Sequence, residues 1–197
     1  MLRTNQLFLA YVSDLYGQQK RREHIIVKSY ALGEILLSQH QKVSRIMLVT
    51  EGIVKCSRIE KNDKEYILEF LGTGEILGEL EAIRNISGLC TIEAITEVEV
   101  YSISIPYFRK LLKEDIDFNG FLLNVFAERI EHTSIRASYQ QLYTIEESLR
   151  RLFELLSKQE LKVSKENMAA YLGVSVRSLN RSLKRLSDTD DGGRYLS

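Results

Sequence analysis

From His24 to Ile105 the chain offers only short apolar runs with glycine between them, and this limits its fold more than any other feature. Ile46–Val49, Ile53–Ile59, Tyr66–Leu71 and Thr91–Ile105 are rich in β-branched and aromatic residues, which suit strands. In the last run Ile92, Ala94, Val98 and Val100 fall on one face, with Glu93, Glu97 and Glu99 opposite. Gly33, Gly52, Gly72, Gly74, Gly78 and Gly88 stand between or beside the runs, where a positive φ is easiest for glycine. Asn62-Asp63-Lys64 reads as a hairpin tip. Many short strands at near-regular spacing predict a sandwich or a small barrel, not a parallel α/β sheet.

The only proline, Pro106, marks the change to helix, at a position where its missing N–H costs little. Tyr107–Lys113 reads as a short helix and Phe118–Leu142 as a long one. The long helix carries Leu123, Phe126, Ile130, Thr133 and Ala137 at alternating spacings of three and four, a coiled-coil-like seam that predicts a dimer, with a core helix of a monomer as the alternative. Ile145–Gln159 is helical, with Leu149, Leu152, Phe153, Leu155 and Leu156 turned inward. Leu161-Lys162-Val163 is a short extended link.

Composition narrows the function classes. With 44% hydrophobic residues the chain can bury a core. It holds no apolar stretch long enough to span a membrane. Ser13 and Asp14 interrupt the N-terminal apolar residues, and no small-residue cleavage site follows. A signal peptide is not expected, and the chain reads as cytoplasmic. Cys56 and Cys90 are too few for a disulfide framework or a zinc site; inert buried thiols are the simpler reading, and a redox-sensing pair is the alternative. His24, His40 and His132 make no metal-ligand spacing. No nucleophile with its base and no phosphate loop of Walker type is present, so an enzyme is not expected. No catalytic residue, metal or cofactor is assigned.

Net charge is zero but unevenly spread. Lys158, Lys162, Lys165, Arg177, Arg181, Lys184 and Arg185 stand against only Glu160 and Glu166 in one short stretch, which suits a polyanion or a solvated helical face. Within it, VSKENMAAYLGVSVRSLNRSLKRL (Val163–Leu186) reads as two helices joined by a tight glycine turn. Ser164 caps the first and Ser175 the second. Ala169 and Ala170 permit close packing, Gly173 takes the left-handed turn, and Leu172, Val174, Leu179 and Leu183 wedge the helices apart at a fixed angle. Leu179, Leu183 and Leu186 share the inward face of the second helix; Arg177, Arg181 and Lys184 repeat the same spacing on another. An apolar back and a basic front fit the major groove of double-stranded DNA. Candidate DNA-binding residues are Ser175, Val176, Arg177, Ser178, Arg181, Lys184 and Arg185. Ser175 and Ser178 stand where hydroxyls and backbone N–H groups meet phosphate.

The order of these segments resembles the Crp/Fnr superfamily of bacterial transcription regulators over roughly residues 24–186. The motifs that carry the likeness are YALGEILL (Tyr30–Leu37), MLVTEGIVK (Met47–Lys55), FLGTGEILGEL (Phe70–Leu80) and AYLGVSVRSLNRSLKRL. LGELEAI and YLGVSVRSL look more loosely like the YeiL-like branch. The resemblance implies an α+β chain in three parts. A jelly-roll-like, double-stranded β-roll sensor spans 1–113, a dimerisation helix 114–142, and a winged-helix-type helix-turn-helix 143–197. It also implies a homodimer on a two-fold DNA site, contact with RNA polymerase, and control by a small-molecule effector.

Two departures qualify the resemblance. Cyclic-nucleotide-binding members place an Arg-Ser pair after the Gly-Glu pair that matches Gly78 and Glu79, because a buried phosphate needs charge-assisted donors. Here RNISGLCTIEA (Arg84–Ala94) is one residue shorter and sets Gly88 and Leu89 at those places. Neither side chain neutralises a phosphate, so cyclic AMP is not the expected effector. Effector-pocket candidates are Gly78, Glu79, Gly88 and Leu89 with Arg129, Thr133 and Ser134 of the long helix. The second departure is SDTDDGGRYLS, where Asp188, Asp190 and Asp191 stand in place of the strands of a wing; a short or missing wing is expected. The rival reading is a β-roll signalling or protein-interaction module whose reduced C-terminal domain no longer binds DNA.

Overall fold

In the computed structural model, which describes residues 2–20, 23–159 and 162–187, the run Ile46–Val49 lies in strand β4 (Arg45–Glu51) and is buried on both faces. Ile46 and Leu48 join one core cluster; Met47 and Val49 join another. A strand covered on both sides shows no polar alternation. Each such side chain contributes about 1.5–3 kcal/mol by leaving water.

β4 belongs to a four-stranded sheet in the order β2 (Ile25–Tyr30), β9 (Val98–Ser104), β4, β7 (Ile76–Leu77), antiparallel throughout. Met47, Val49, Leu77, Val98 and Val100 of this sheet share a cluster with Val54, Leu71, Ile92 and Ala94 of a second sheet. That sheet has five strands in the order β1 (Leu2–Arg3), β6 (Glu65–Leu71), β5 (Val54–Ile59), β8 (Thr91–Ala94), β3 (Ile35–Leu37). Two sheets with a shared apolar interior make the expected β-roll.

One strand expectation is corrected. Thr91–Ile105 is not continuous: it is β8 and β9, which lie in different sheets. Residues 95–97 carry the chain across, and the turn between β4 and β5 packs on them. Gly52 has φ of 86° there, and a Cβ would stand 2.0 Å from the Glu97 carbonyl oxygen. The alternation survives the break, since Ile92, Ala94, Val98 and Val100 all enter the inter-sheet cluster. Gly33, Gly74 and Gly78 also have positive φ, whereas Gly72 and Gly88 do not.

Helices cover the other face of the four-stranded sheet. α1 (Gln6–Gln18) is capped by Asn5, whose Oδ1 accepts from the Phe8 N–H at 3.0 Å. α2 (Glu79–Arg84) is a six-residue helix between β7 and β8. α3 (Ile105–Glu114) starts one residue before Pro106, which lies in its first turn and marks the change to helix as expected. α4 (Ile116–Leu142) has 27 residues, which at a 1.5 Å rise is about 40 Å. Phe118 of α4 lies edge-on to Phe8 at 5.6 Å and to Phe108 at 5.9 Å, and Leu122 and Val125 complete the cluster.

The chain divides into two compact units. Among the described residues, those of Leu2–Arg58 and Leu68–Ala127 form the first, and the hairpin segment Ile59–Ile67 with those from Glu128 onward forms the second. In the second, α5 (Ile145–Lys158), α6 (Lys165–Leu172) and α7 (Val176–Ser187) close on Leu149, Ala169, Leu179, Leu183 and Leu186. Thr144 and Glu147 form a capping box at the start of α5, each satisfying an N–H that the helix leaves open. Thr144→Ala is expected to destabilise this unit by about 1 kcal/mol, read as a lower midpoint in chemical denaturation; an unchanged midpoint would show the box to be idle.

Candidate nucleic-acid interface and effector segment

Local chemistry sets up α7. Gly173, with φ of 71°, ends α6 in the left-handed conformation that suits glycine. The Ser175 Oγ accepts from the Ser178 N–H at 3.1 Å, and the two hydroxyls lie 3.0 Å apart. Ser175 is therefore the N-cap that its position suggested. From there Leu179, Ser182, Leu183 and Leu186 are buried, while Ser175, Val176, Arg177, Arg181, Lys184 and Arg185 are exposed and Ser178 half-buried. The helix thus has one apolar face and one basic face.

The four cations differ in what holds them. Arg177, Arg181 and Lys184 have no ion-pair partner among the described residues. Arg185 donates to Glu146 Oε1 of α5 at 3.2 Å, and Ser182 Oγ donates to the same oxygen at 2.9 Å. Glu146's own backbone N–H and the Ser182 hydroxyl hold its carboxyl below the usual carboxylate range, with Arg185 adding to the effect. Arg185 thus ties α7 to α5. The other three cations present a net positive row that an anion can meet.

A further cation, which local sequence patterns do not single out, organises the second unit. Arg136 of α4 lies between the rings of Tyr66 and Tyr171, 4.8 and 3.9 Å from their centroids. Its guanidinium donates to the carbonyls of Ile67, at 2.7 Å, and Tyr171. Tyr66 Oη donates to Gln140 Oε1 at 2.9 Å. Two aromatic faces and two carbonyls fix the guanidinium more firmly than either could alone, so hairpin tip, α4 and α6 hold together through one side chain.

The effector candidates fall in both units. Gly78 is the N-cap of α2, with φ of 84°, and Glu79, the first residue of that helix, is buried. Gly88 is buried and its backbone is fully engaged: its N–H donates to the Gln41 carbonyl at 2.8 Å and its carbonyl accepts from the His40 N–H at 2.7 Å. Leu89 donates its N–H to Glu81 Oε1 at 2.9 Å. The backbone N–H groups of Gly88 and Leu89 are thus both engaged, and the Glu81 carboxylate stands beside Leu89. In the second unit Arg129 is half-buried, and Thr133 and Ser134 are exposed, with Ser134 Oγ donating to the Ile130 carbonyl at 2.8 Å.

Along α4, Leu123 is 66% and Ile130 69% exposed, Thr133 and Ala137 are exposed, and Phe126 is half-buried. No helix among the described residues is long and apolar enough to cross a membrane. Among them no group of three or more His, Cys, Asp or Glu side chains could hold a metal. The wing expectation at 188–197, Glu160 and Leu161 lie outside the described residues.

Comparison with known proteins gives these features a setting. Residues 27–115 match the family model of the cyclic nucleotide-binding domain. The chain is 24% identical over 176 residues to the cAMP-activated global transcriptional regulator CRP of Salmonella typhimurium, covering 84% of each. It is 25% identical over 162 residues to a probable transcriptional regulator, flp, of Lacticaseibacillus casei, covering 79% of this chain and 74% of that protein. Among solved structures it is similar to the c-di-GMP-responsive global regulator CLP of Xanthomonas campestris, with a TM-score of 0.74, 21% identity, and coverage of 84% and 88% of the two chains.

Proposed function

We propose that this homologue of the Crp/Fnr transcription regulators is a sequence-specific DNA-binding regulator, not an enzyme, that acts in the cytoplasm as a homodimer on a two-fold site. The observation that carries the reading is the face of α7 bearing Arg177, Arg181 and Lys184, exposed above a back of Leu179, Leu183 and Leu186 that the helical bundle buries. A helix held rigidly by its apolar side, with exposed cations on the other, meets what major-groove recognition requires: long donors for guanine edges and phosphates. Ser175, Val176 and Ser178 open the helix, where approach to the backbone is closest.

In this reading residues 1–113 are the sensor, 114–142 the dimerisation helix and 143–197 the DNA-binding domain. Dimerisation is supported by Leu123 and Ile130, large apolar side chains of the three-four repeat exposed in the single chain. Contact with RNA polymerase follows from the kinship. The effector is a small molecule other than cyclic AMP, since Gly88 and Leu89 supply no charge for a phosphate. To act, it must bind the active and inactive states of the dimer with different affinities.

The test is a salt-dependent titration of the purified protein with a random duplex pool, followed by sequencing of the bound fraction. A two-fold-symmetric motif is expected, with affinity falling steeply as salt rises because bound phosphates release counterions. If no motif is enriched and the weak binding has no salt slope, the interaction-module reading takes its place.

A further inference from the structure

The two cysteines, 34 positions apart by their residue numbers, meet in the roll. β5 pairs antiparallel with β8 so that Cys56 stands opposite Ile92. Ser57 stands opposite Thr91, and Cys90, in the bend that leads into β8, comes immediately before that pair. Cys56 and Cys90 thus flank the Ser57–Thr91 pair diagonally, at a separation that side chains can span. Both are half-buried free thiols, and Cys56 packs on the inter-sheet cluster.

From this juxtaposition we propose that Cys56 and Cys90 are an oxidisable dithiol that reacts with a small hydroperoxide and closes a disulfide between β5 and the segment leading into β8. The hydrogen bond from Cys56 holds the Cys90 thiol below its ordinary range, with the Arg58 guanidinium assisting and burial and the Glu81 and Glu69 carboxylates opposing. In the proposed reaction Cys90 is the attacking sulfur. Its thiolate takes one peroxide oxygen, the O–O bond breaks, and the second oxygen leaves as hydroxide, which a proton converts to water. Cys90 is then a sulfenic acid. The Cys56 sulfur attacks it, giving up its proton; the S–S bond forms, the S–O bond breaks, and a second water departs. Overall the two thiols lose two electrons and two protons, and one hydrogen peroxide becomes two waters.

The bond would pin the segment that also carries Gly88 and Leu89, so oxidation would act on the same part of the roll as the proposed effector. The chemistry is independent of the DNA-binding reading and is tested without DNA. The fully reduced, full-length protein is titrated with hydrogen peroxide, denatured, and its free thiols counted, with peptide mapping and intact mass on the same samples. Both thiols are expected to disappear together, with a mass loss of two hydrogens and a Cys56–Cys90 peptide pair from a monomeric band. In Cys56→Ser, Cys90 is expected to stop at a sulfenic acid that dimedone traps. Thiols that survive excess peroxide, sulfinic acid in place of a disulfide, or a bond only between two chains would each overturn the proposal. The wild-type mapping stands whether or not the variant folds.

Discussion

Replacing Arg177 and Arg181 together by alanine is expected to weaken binding to an enriched operator by about 30-fold or more. A side chain that reads a base contributes about 1–3 kcal/mol, and 1.4 kcal/mol is tenfold in affinity. The two arginines are four positions apart on one helix, close enough to share a base step, so their effects need not add. Both are exposed, and removal should leave the bundle's stability within a few tenths of a kcal/mol. Arg185→Ala supplies the contrast. Its guanidinium is paired with Glu146 of α5, so it should lower operator affinity less than either of the others. The measurement is a titration of each variant on specific and random duplexes at two salt concentrations. Retained affinity and retained sequence preference in the double variant would remove α7 from the interface.

How much of this could be read from the residues depends on the range of the contact concerned. The caps at Ser164 and Ser175 and the turn at Gly173 are set by neighbours within four positions, and each stands where the sequence places it. The inward row Leu179, Leu183, Leu186 follows from helical period alone. α1 is not legible in the residues, since Ser13 and Asp14 interrupt its apolar pattern, although Phe8 and Val12 are wholly buried. α2 spans six residues and β7 two, too few for any period to show. The break between β8 and β9 is invisible because the inward alternation continues through it. Arg136 is the clearest limit. Its partners Tyr66 and Tyr171 are 70 and 35 positions away in the numbering, and no local pattern marks an arginine that two distant rings enclose. Likewise Arg185 and Arg181 look alike in sequence; only α5 brings Glu146 to one of them.

The same limit of range explains why Gly88 matters in a way its neighbours do not reveal. An arginine there would supply the cation that the resemblance to cyclic-nucleotide-binding members implies at this place, yet Gly88→Arg is expected to cost about 1–3 kcal/mol of stability and to confer no cyclic AMP binding. A Cβ on Gly88 would stand 2.4 Å from the Ser38 carbonyl oxygen and 3.4 Å from that of Gln41. These are backbone atoms and cannot swing aside as a side chain can. Residues 38–41 would have to move, straining the bonds from the His40 N–H to Gly88 and from the Gly88 N–H to Gln41, each worth about 0.5–1.5 kcal/mol. Adding Leu89→Ser supplies the hydroxyl but leaves its N–H on the Glu81 carboxylate, which repels the phosphate the pair is meant to hold. Calorimetric titration of the double variant with cyclic AMP, beside a denaturation curve, decides the matter. Tight binding at undiminished stability would mean that the segment opens readily, and that the want of an Arg-Ser pair alone keeps this roll from cyclic AMP.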